Sequence, residues 1–139
     1  MKIVVFILLI AACATLIAGE KPHAPESMPG TIIVSAEDVI EMVLANSELV
    51  VIDSRKKTEY IKGHIEGAIN ILNTELELEG LESVIPDRGT PVLFYCNGVR
   101  CLRSSDSITK TVGWGYTKVF WFRGGWKEWT EKRLPVVTD

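Results

Sequence analysis

Short, almost uninterrupted apolar segments alternate along this chain with segments of helical periodicity. Leu49–Ile52, Pro91–Tyr95 and Val119–Phe122 contain almost no strongly polar side chain. Strands of that kind are buried on both faces, as they are in parallel sheets that helices cover on either side. The alternation of such strands with helical segments therefore predicts a single α/β domain with a mainly parallel central sheet flanked by helices.

Turn residues and helix-start signals predict where the individual strands and helices begin and end. Ser35 and Asp38 match the ends of a capping box, which predicts that a helix begins before the apolar residues Val39 and Ile40. The predicted strands are 31–34, 49–52, 68–71, 91–95 and 119–122. The first predicted helix follows the capping box that begins at Ser35 and is ended by Asn46. The other predicted helices are 57–61, 103–112 and 126–132, and a partly helical stretch ends at Pro86.

The first residues have the pattern of an export signal. Met1 and Lys2 precede an apolar run from Ile3 to Ala18. As a helix this run would be about 24 Å long at ~1.5 Å per residue, whereas a bilayer core is about 30 Å thick. We therefore expect residues 1–19 to be a cleaved signal peptide and the protein to be exported to the bacterial periplasm. The alternatives are an uncleaved membrane anchor and a lipid on Cys13, and membrane contact would involve this segment alone.

Composition limits the remaining chain to one ordinary domain. Residues 20–30 contain three prolines and a glycine, which predicts a flexible linker before a domain spanning 31–139. The chain of 139 residues has a net charge of −3, which argues against nucleic-acid binding because that function usually needs a basic patch. No Cys or His cluster has metal-ligand spacing, so we expect no metal site. Nothing calls for a cofactor or an oligomer, so we also expect a monomer without a cofactor.

Cys96 stands where the strand 91–95 gives way to a tight loop that runs into a helix. A thiol at a helix N-terminus faces backbone N–H groups and the positive end of the helix dipole, and both favour the reactive thiolate. Arg100 and Arg103 add positive charge that suits a small anionic ligand, and Ser104 or Ser105 is placed to cap the helix. Cys96 is therefore a candidate nucleophile, although a cysteine after a buried strand can also be an inert core residue.

Three separated motifs resemble the signatures of rhodanese domains, and together they extend from about Thr31 to Val136. The first comprises Asp53-Ser54-Arg55, Glu59-Tyr60 and residues 63–71, with the sequence G-H-I-E-G-A-I-N-I. The second is Phe94-Tyr95-Cys96, which opens a loop as the family's active site does. The third comprises residues 113–116, 119–126, Trp129 and Leu134-Pro135-Val136. Three motifs in the family's order are a specific signal.

The resemblance implies a sulfurtransferase. Cys96 would attack the outer sulfur of a small anionic donor such as thiosulfate, sulfite would leave, and a thiol or cyanide would accept the sulfur from the resulting persulfide. The loop would bind the donor through successive N–H groups, and its residues are Asn97, Gly98, Val99, Arg100, Cys101, Leu102 and Arg103. Asp53, Arg55 and His64 would support the site: Asp53 by pairing with Arg55 or bonding loop backbone, and His64 by bonding backbone groups.

The loop departs from the family's common pattern of Cys, four residues, Arg, Ser. It reads C-N-G-V-R-C-L-R-S and resembles an exported subgroup with C-N-G-x-x-C-x-R-S. Arg103 is the better candidate for an anion contact, and Arg100 can equally point to solvent. Cys101 has three interpretations: a packing residue, a thiol that attacks the Cys96 persulfide or forms a reversible disulfide with Cys96, or an incidental exposed thiol.

Two other functions compete with the sulfurtransferase. A cysteine phosphatase or arsenate reductase typically carries Arg six residues after its cysteine, and position 102 is leucine, which argues against that class. A thiol-relay or non-catalytic module would hand sulfur or electrons to an exported protein partner, and Cys96 is compatible with that role.

Overall fold

The structure is a computed structural model that describes residues 19–139, and the predicted leader and Cys13 lie outside them. Its core is a five-stranded sheet in the order β1-β5-β4-β2-β3, in which every neighbouring pair of strands is parallel. The strands are β1 (Thr31–Ile33), β2 (Val50–Asp53), β3 (Ile69–Asn70), β4 (Val92–Tyr95) and β5 (Val119–Phe122). The predicted α/β architecture with a parallel central sheet is confirmed.

Helices cover both faces of this sheet. They are α1 (Ala36–Ala45), α2 (Lys57–Tyr60), α3 (Leu78–Val84), α4 (Arg103–Gly113) and α5 (Gly125–Glu131). Alternate residues of β4 point to opposite faces: Phe94 packs with residues of α3 and α4, whereas Leu93 packs with residues of α1, α2 and α5. This two-sided burial explains why the strand is apolar at every position.

The two predicted helix starts have different outcomes. The capping box of α1 is present: Ser35 N–H donates to Asp38 Oδ2 at 2.7 Å, and Asp38 N–H donates to Ser35 Oγ at 3.2 Å. The prediction that Ser104 or Ser105 caps α4 is wrong. Leu102 occupies the cap position without a side-chain bond, and both serines lie in the first turn of the helix. The Ser105 hydroxyl instead donates to the Leu102 carbonyl at 2.9 Å.

The segment before β1 differs from the flexible linker expected for residues 20–30. Ala24 is buried, and its N–H donates to the Val99 carbonyl at 2.7 Å. Arg123, which follows β5, donates to the carbonyls of Ala24 and Pro25 at 2.9 and 2.8 Å. The segment therefore packs against the loop that follows β4. Within residues 19–139, no helix is both long and apolar enough to cross a membrane.

Candidate active site

The loop Cys96–Leu102 leaves the carboxyl end of β4, which is the edge where parallel α/β sheets bind ligands. Beside it opens a cavity of about 1090 Å³. The cavity is lined by all the loop residues from 97 to 103 and by Pro22, Asn73, Asp106, Trp126 and Lys127. Cys101 is therefore a lining residue, whereas Cys96 is only 2% exposed and lies beneath the cavity.

The N-terminus of α5 holds the loop in place. Trp126 N–H donates to the Cys96 carbonyl at 2.8 Å, and Lys127 N–H donates to the Asn97 carbonyl at 2.9 Å. Gly125 permits this approach, because a Cβ there would lie 2.3 Å from the Cys96 carbonyl oxygen. Gly125 also has a φ of +57°, which favours glycine. Gly125 lies in the third sequence motif, but its contact with the loop was not predicted from the sequence.

The Cys96 sulfur accepts hydrogen bonds from one residue of α4. Ser104 N–H donates to Cys96 Sγ at 3.4 Å, and Ser104 Oγ lies 3.1 Å from the same sulfur. Trp121 Nε1–H donates to Ser104 Oγ at 3.0 Å. Because the indole can only donate, the serine oxygen accepts from it and the serine hydrogen is left to point at the sulfur. Ser104 is thus a donor to Cys96, a role that the capping prediction missed.

Cys96 and Cys101 are both free thiols. The single thiol hydrogen of Cys96 can be donated to the Cys101 carbonyl oxygen, 3.4 Å from Cys96 Sγ, or to the Cys101 side chain. The hydrogen bond from Cys96 lowers the pKa of Cys101 to about 6, against the effect of burial and with help from the N–H groups of Asn97 and Arg103. The same hydrogen bond, together with burial, raises the pKa of Cys96.

The two adjacent sulfurs do not both ionise readily, so they share one negative charge. Arg103 Nη1, 3.8 Å from the Cys101 sulfur, stabilises that charge on Cys101, and the two donors of Ser104 stabilise it on Cys96. The lowered pKa of Cys101 and the raised pKa of Cys96 favour the thiolate on Cys101, whereas the sequence led us to expect it on Cys96.

The two arginines of the loop occupy different environments. Arg103 is about a third exposed and lies 3.6 Å from Glu59 Oε2, besides its contact with Cys101. Arg100 is exposed, and its guanidinium reaches the Lys21 carbonyl at 3.5 Å. Glu59 also accepts from Asn97 Nδ2 at 2.8 Å, so α2 braces the loop from the opposite side to α5. Glu59 belongs to the first sequence motif but was not singled out as a site residue.

Asp53, Arg55 and His64 lie behind the loop rather than in the cavity. Arg55 is buried, donates to Asp53 Oδ1 at 3.0 Å and to the Gly63 carbonyl at 2.8 Å, and lies over the Trp126 ring at 4.3 Å. Arg55 therefore links the end of β2 to α5.

The contacts of His64 lie outside the loop that begins at Cys96. Its ring stacks on Tyr60 at 3.7 Å and bonds the Tyr60 carbonyl through Nδ1 at 3.0 Å. Its backbone pairs with Val137. These contacts give His64 a structural place between α2 and the C-terminal segment.

No group of three or more His, Cys, Asp or Glu side chains within residues 19–139 is arranged to hold a metal ion. Polar side chains that line the cavity belong to Asn73, Asn97, Arg100, Cys101, Arg103, Asp106 and Lys127, and Cys96 and Ser104 are buried beside it. Such a set can activate a sulfur nucleophile and hold an anion beside it.

Comparison with known proteins identifies the family of this domain. The family model of the rhodanese-like domain matches residues 35–132. The uncharacterized protein YibN of Escherichia coli K12 is 28% identical over 96 residues, which cover 68% of this chain and 65% of YibN. The chain therefore spans a little under two thirds of that relative's length.

Solved structures of sulfurtransferases and rhodaneses are similar to this chain. A thiosulfate sulfurtransferase from Pseudomonas aeruginosa superposes with a TM-score of 0.66 at 26% identity, covering 78% of this chain and 20% of that one. An E. coli structure described as a rhodanese with anions superposes with a TM-score of 0.55 at 31% identity, covering 66% of this chain and 99% of that one. These likenesses support a sulfurtransferase-type function at the level of the family. The chain belongs to the rhodanese-like domain family.

Proposed function

We propose that the protein is a sulfurtransferase that carries sulfur as a persulfide on Cys96, taking it from an anionic donor such as thiosulfate. The observation that carries this proposal is the pairing of Cys96 with an ionised neighbour. Cys96 Sγ has Ser104 as a donor on one side and the Cys101 sulfur on the other. A buried thiol would otherwise be a poor nucleophile, because burial disfavours its ionisation.

The Cys101 thiolate supplies the missing activation. As Cys96 attacks the outer sulfur of thiosulfate, its proton passes along the hydrogen bond to Cys101, and sulfite leaves with the electron pair of the broken S–S bond. The products are a Cys96 persulfide anion, a neutral Cys101 thiol and sulfite, so charge and protons balance. The N–H and hydroxyl groups of Ser104 continue to donate to the Cys96 sulfur and stabilise the persulfide anion.

The cavity supports a range of donors and acceptors. Three cations, Arg100, Arg103 and Lys127, line it with one carboxylate, Asp106, so an anion meets a net positive charge there. Its volume of about 1090 Å³ is much larger than thiosulfate needs, which leaves room for a thiol carried on a larger molecule as well as for cyanide. The apolar leader in the sequence supports the periplasm as the place where this transfer occurs.

Thiocyanate formation from thiosulfate and cyanide tests this function. We expect activity in the full-length protein and none in Cys96→Ser, because the serine oxygen cannot carry sulfane sulfur. Cys13→Ser is the matched control, since it removes the cysteine that lies before the domain and should leave the rate unchanged. Hydrolysis of p-nitrophenyl phosphate without any thiocyanate formation would instead assign the loop to phosphoryl chemistry and overturn the proposal.

A further inference from the structure

The inference here rests on the proposed function and adds a second step to it. We propose that Cys101 resolves the Cys96 persulfide, releasing the sulfur as hydrosulfide and leaving a Cys96–Cys101 disulfide that a dithiol must reduce. The protein would then convert sulfane sulfur to sulfide at the expense of a dithiol, an activity distinct from delivery of sulfur to cyanide.

The position of Cys101 supports this step. A turn closed by Cys101 N–H donating to the Gly98 carbonyl at 2.9 Å folds the loop back and places the Cys101 carbonyl oxygen 3.4 Å from Cys96 Sγ. Cys101 lines the cavity and Cys96 does not. Cys101 therefore joins the cavity wall to the buried sulfur, and its thiol is the second nucleophile beside a persulfide on Cys96.

The loop also holds the Cys101 sulfur as it would hold a substrate anion. The N–H groups of Asn97 and Arg103 lower the pKa of this thiol, and Arg103 Nη1 lies 3.8 Å from the sulfur. Donors that converge on one sulfur stabilise its anion. A packing cysteine has no need of these donors, whereas a thiolate that reacts with its neighbour does.

The step balances without an external oxidant. The first half-reaction leaves the Cys96 persulfide anion beside the neutral Cys101 thiol. The Cys101 sulfur attacks the inner sulfur of the persulfide, the outer sulfur leaves with the bonding electrons, and it takes the Cys101 proton to become hydrosulfide. Two cysteine sulfurs are oxidised to a disulfide while one sulfane sulfur is reduced to sulfide. A dithiol then returns both cysteines to thiols and itself becomes a disulfide.

One enzyme turnover without oxygen or added thiol tests the step. Full-length protein carrying Cys13→Ser, and the same protein carrying Cys101→Ser as well, would be reduced, freed of reductant and mixed with thiosulfate. Sulfite, sulfide and intact mass would be followed until sulfite release is complete. The Cys101→Ser protein lacks the thiolate that takes the Cys96 proton, so it should release sulfite more slowly, release no sulfide and keep one added sulfur atom.

The protein with both thiols should instead release sulfite and sulfide in equal amounts. It should lose two hydrogens relative to the reduced form, with a disulfide that maps to Cys96 and Cys101. A sulfur atom retained on Cys96 in both proteins would overturn the resolving step while leaving the sulfurtransferase proposal intact. A persulfide that maps to Cys101 would contradict both. Failure of both proteins to release sulfite would overturn the two proposals together.

Discussion

Trp121 orients the hydroxyl of Ser104. The indole Nε1–H donates to Ser104 Oγ at 3.0 Å, which leaves the serine hydrogen directed at Cys96 Sγ, 3.1 Å from the same oxygen. Trp121 lies opposite Phe94 in the pairing of β5 with β4, so the sheet itself brings the indole beneath the loop. A buried tryptophan of the core thus takes part in the arrangement of the candidate nucleophile.

Replacing Ser104 by alanine removes this donor. Hydrogen bonds to charged groups contribute about 1.5–3 kcal/mol, so the rate of sulfite release from thiosulfate should fall roughly 10- to 100-fold in Ser104→Ala. Ser107→Ala is the matched control, because Ser107 is a buried serine of the same helix whose hydroxyl accepts from Ser54 Oγ at 3.2 Å. Equal rates in the two variants would show that the Ser104 hydroxyl does not assist Cys96.

The ionisation of the thiol pair gives a pH dependence. Because the pKa of Cys101 is lowered to about 6, its alkylation by iodoacetamide should rise as pH increases through 6 and level off near neutrality. Below pH 6 the thiol is protonated and the rate should be lost. In Cys96→Ala the hydrogen bond that lowers this pKa is absent, so the midpoint should move upward. Peptide mapping identifies the alkylated residue, and first labelling at Cys96 would contradict the assignment of charge.

Gly125 sets the contact between α5 and the loop. In Gly125→Ala the new methyl group would lie 2.3 Å from the Cys96 carbonyl oxygen, at a φ of +57°. Gly67→Ala is the control, because Gly67 also has a positive φ, +78°, but has open space where a Cβ would lie. Backbone strain alone costs on the order of 1–3 kcal/mol in either variant. Urea unfolding should show a greater loss in Gly125→Ala, and sulfite release should slow only there.

The Asp53–Arg55 pair is a structural support of the site. Both side chains are almost fully buried, and Tyr95 Oη–H donates to Asp53 Oδ2 at 2.7 Å. Asp53→Asn leaves the Arg55 charge uncompensated, so the free energy of unfolding should fall by about 3–5 kcal/mol. The control Glu37→Gln removes an exposed carboxylate that pairs with Lys132, and it should leave unfolding unchanged. Equal midpoints in denaturant for the two variants would refute this role.

The sequence predicts those features that depend on local pattern. The apolar run 91–95 identified β4 because its residues are buried on both faces, and Ser35 with Asp38 identified the start of α1 because a capping box is made within four residues. The position of Cys96 at the end of β4 followed directly. The three motifs indicated the family because each lies at a strand end or a helix boundary of the fold.

Features that depend on long-range packing could not be predicted in this way. Ser104 resembles a cap in sequence, but its hydroxyl turns inward because Trp121, 17 residues further on, occupies the space below it. The pKa order of the thiols depends on which sulfur the folded loop surrounds with donors. Ala24 looks like part of a linker, and only its bond to Val99 reveals that it packs on the loop.

The central claim is that Cys96 receives the sulfur. Its most direct test is the intact mass of the Cys101→Ser protein after thiosulfate treatment, followed by mapping of the modified peptide. We predict one added sulfur atom that is located on Cys96 and is removed by cyanide. The Cys96→Ser protein should gain no sulfur. Full retention of the unmodified mass, or a sulfur atom that still appears in Cys96→Ser, would contradict it.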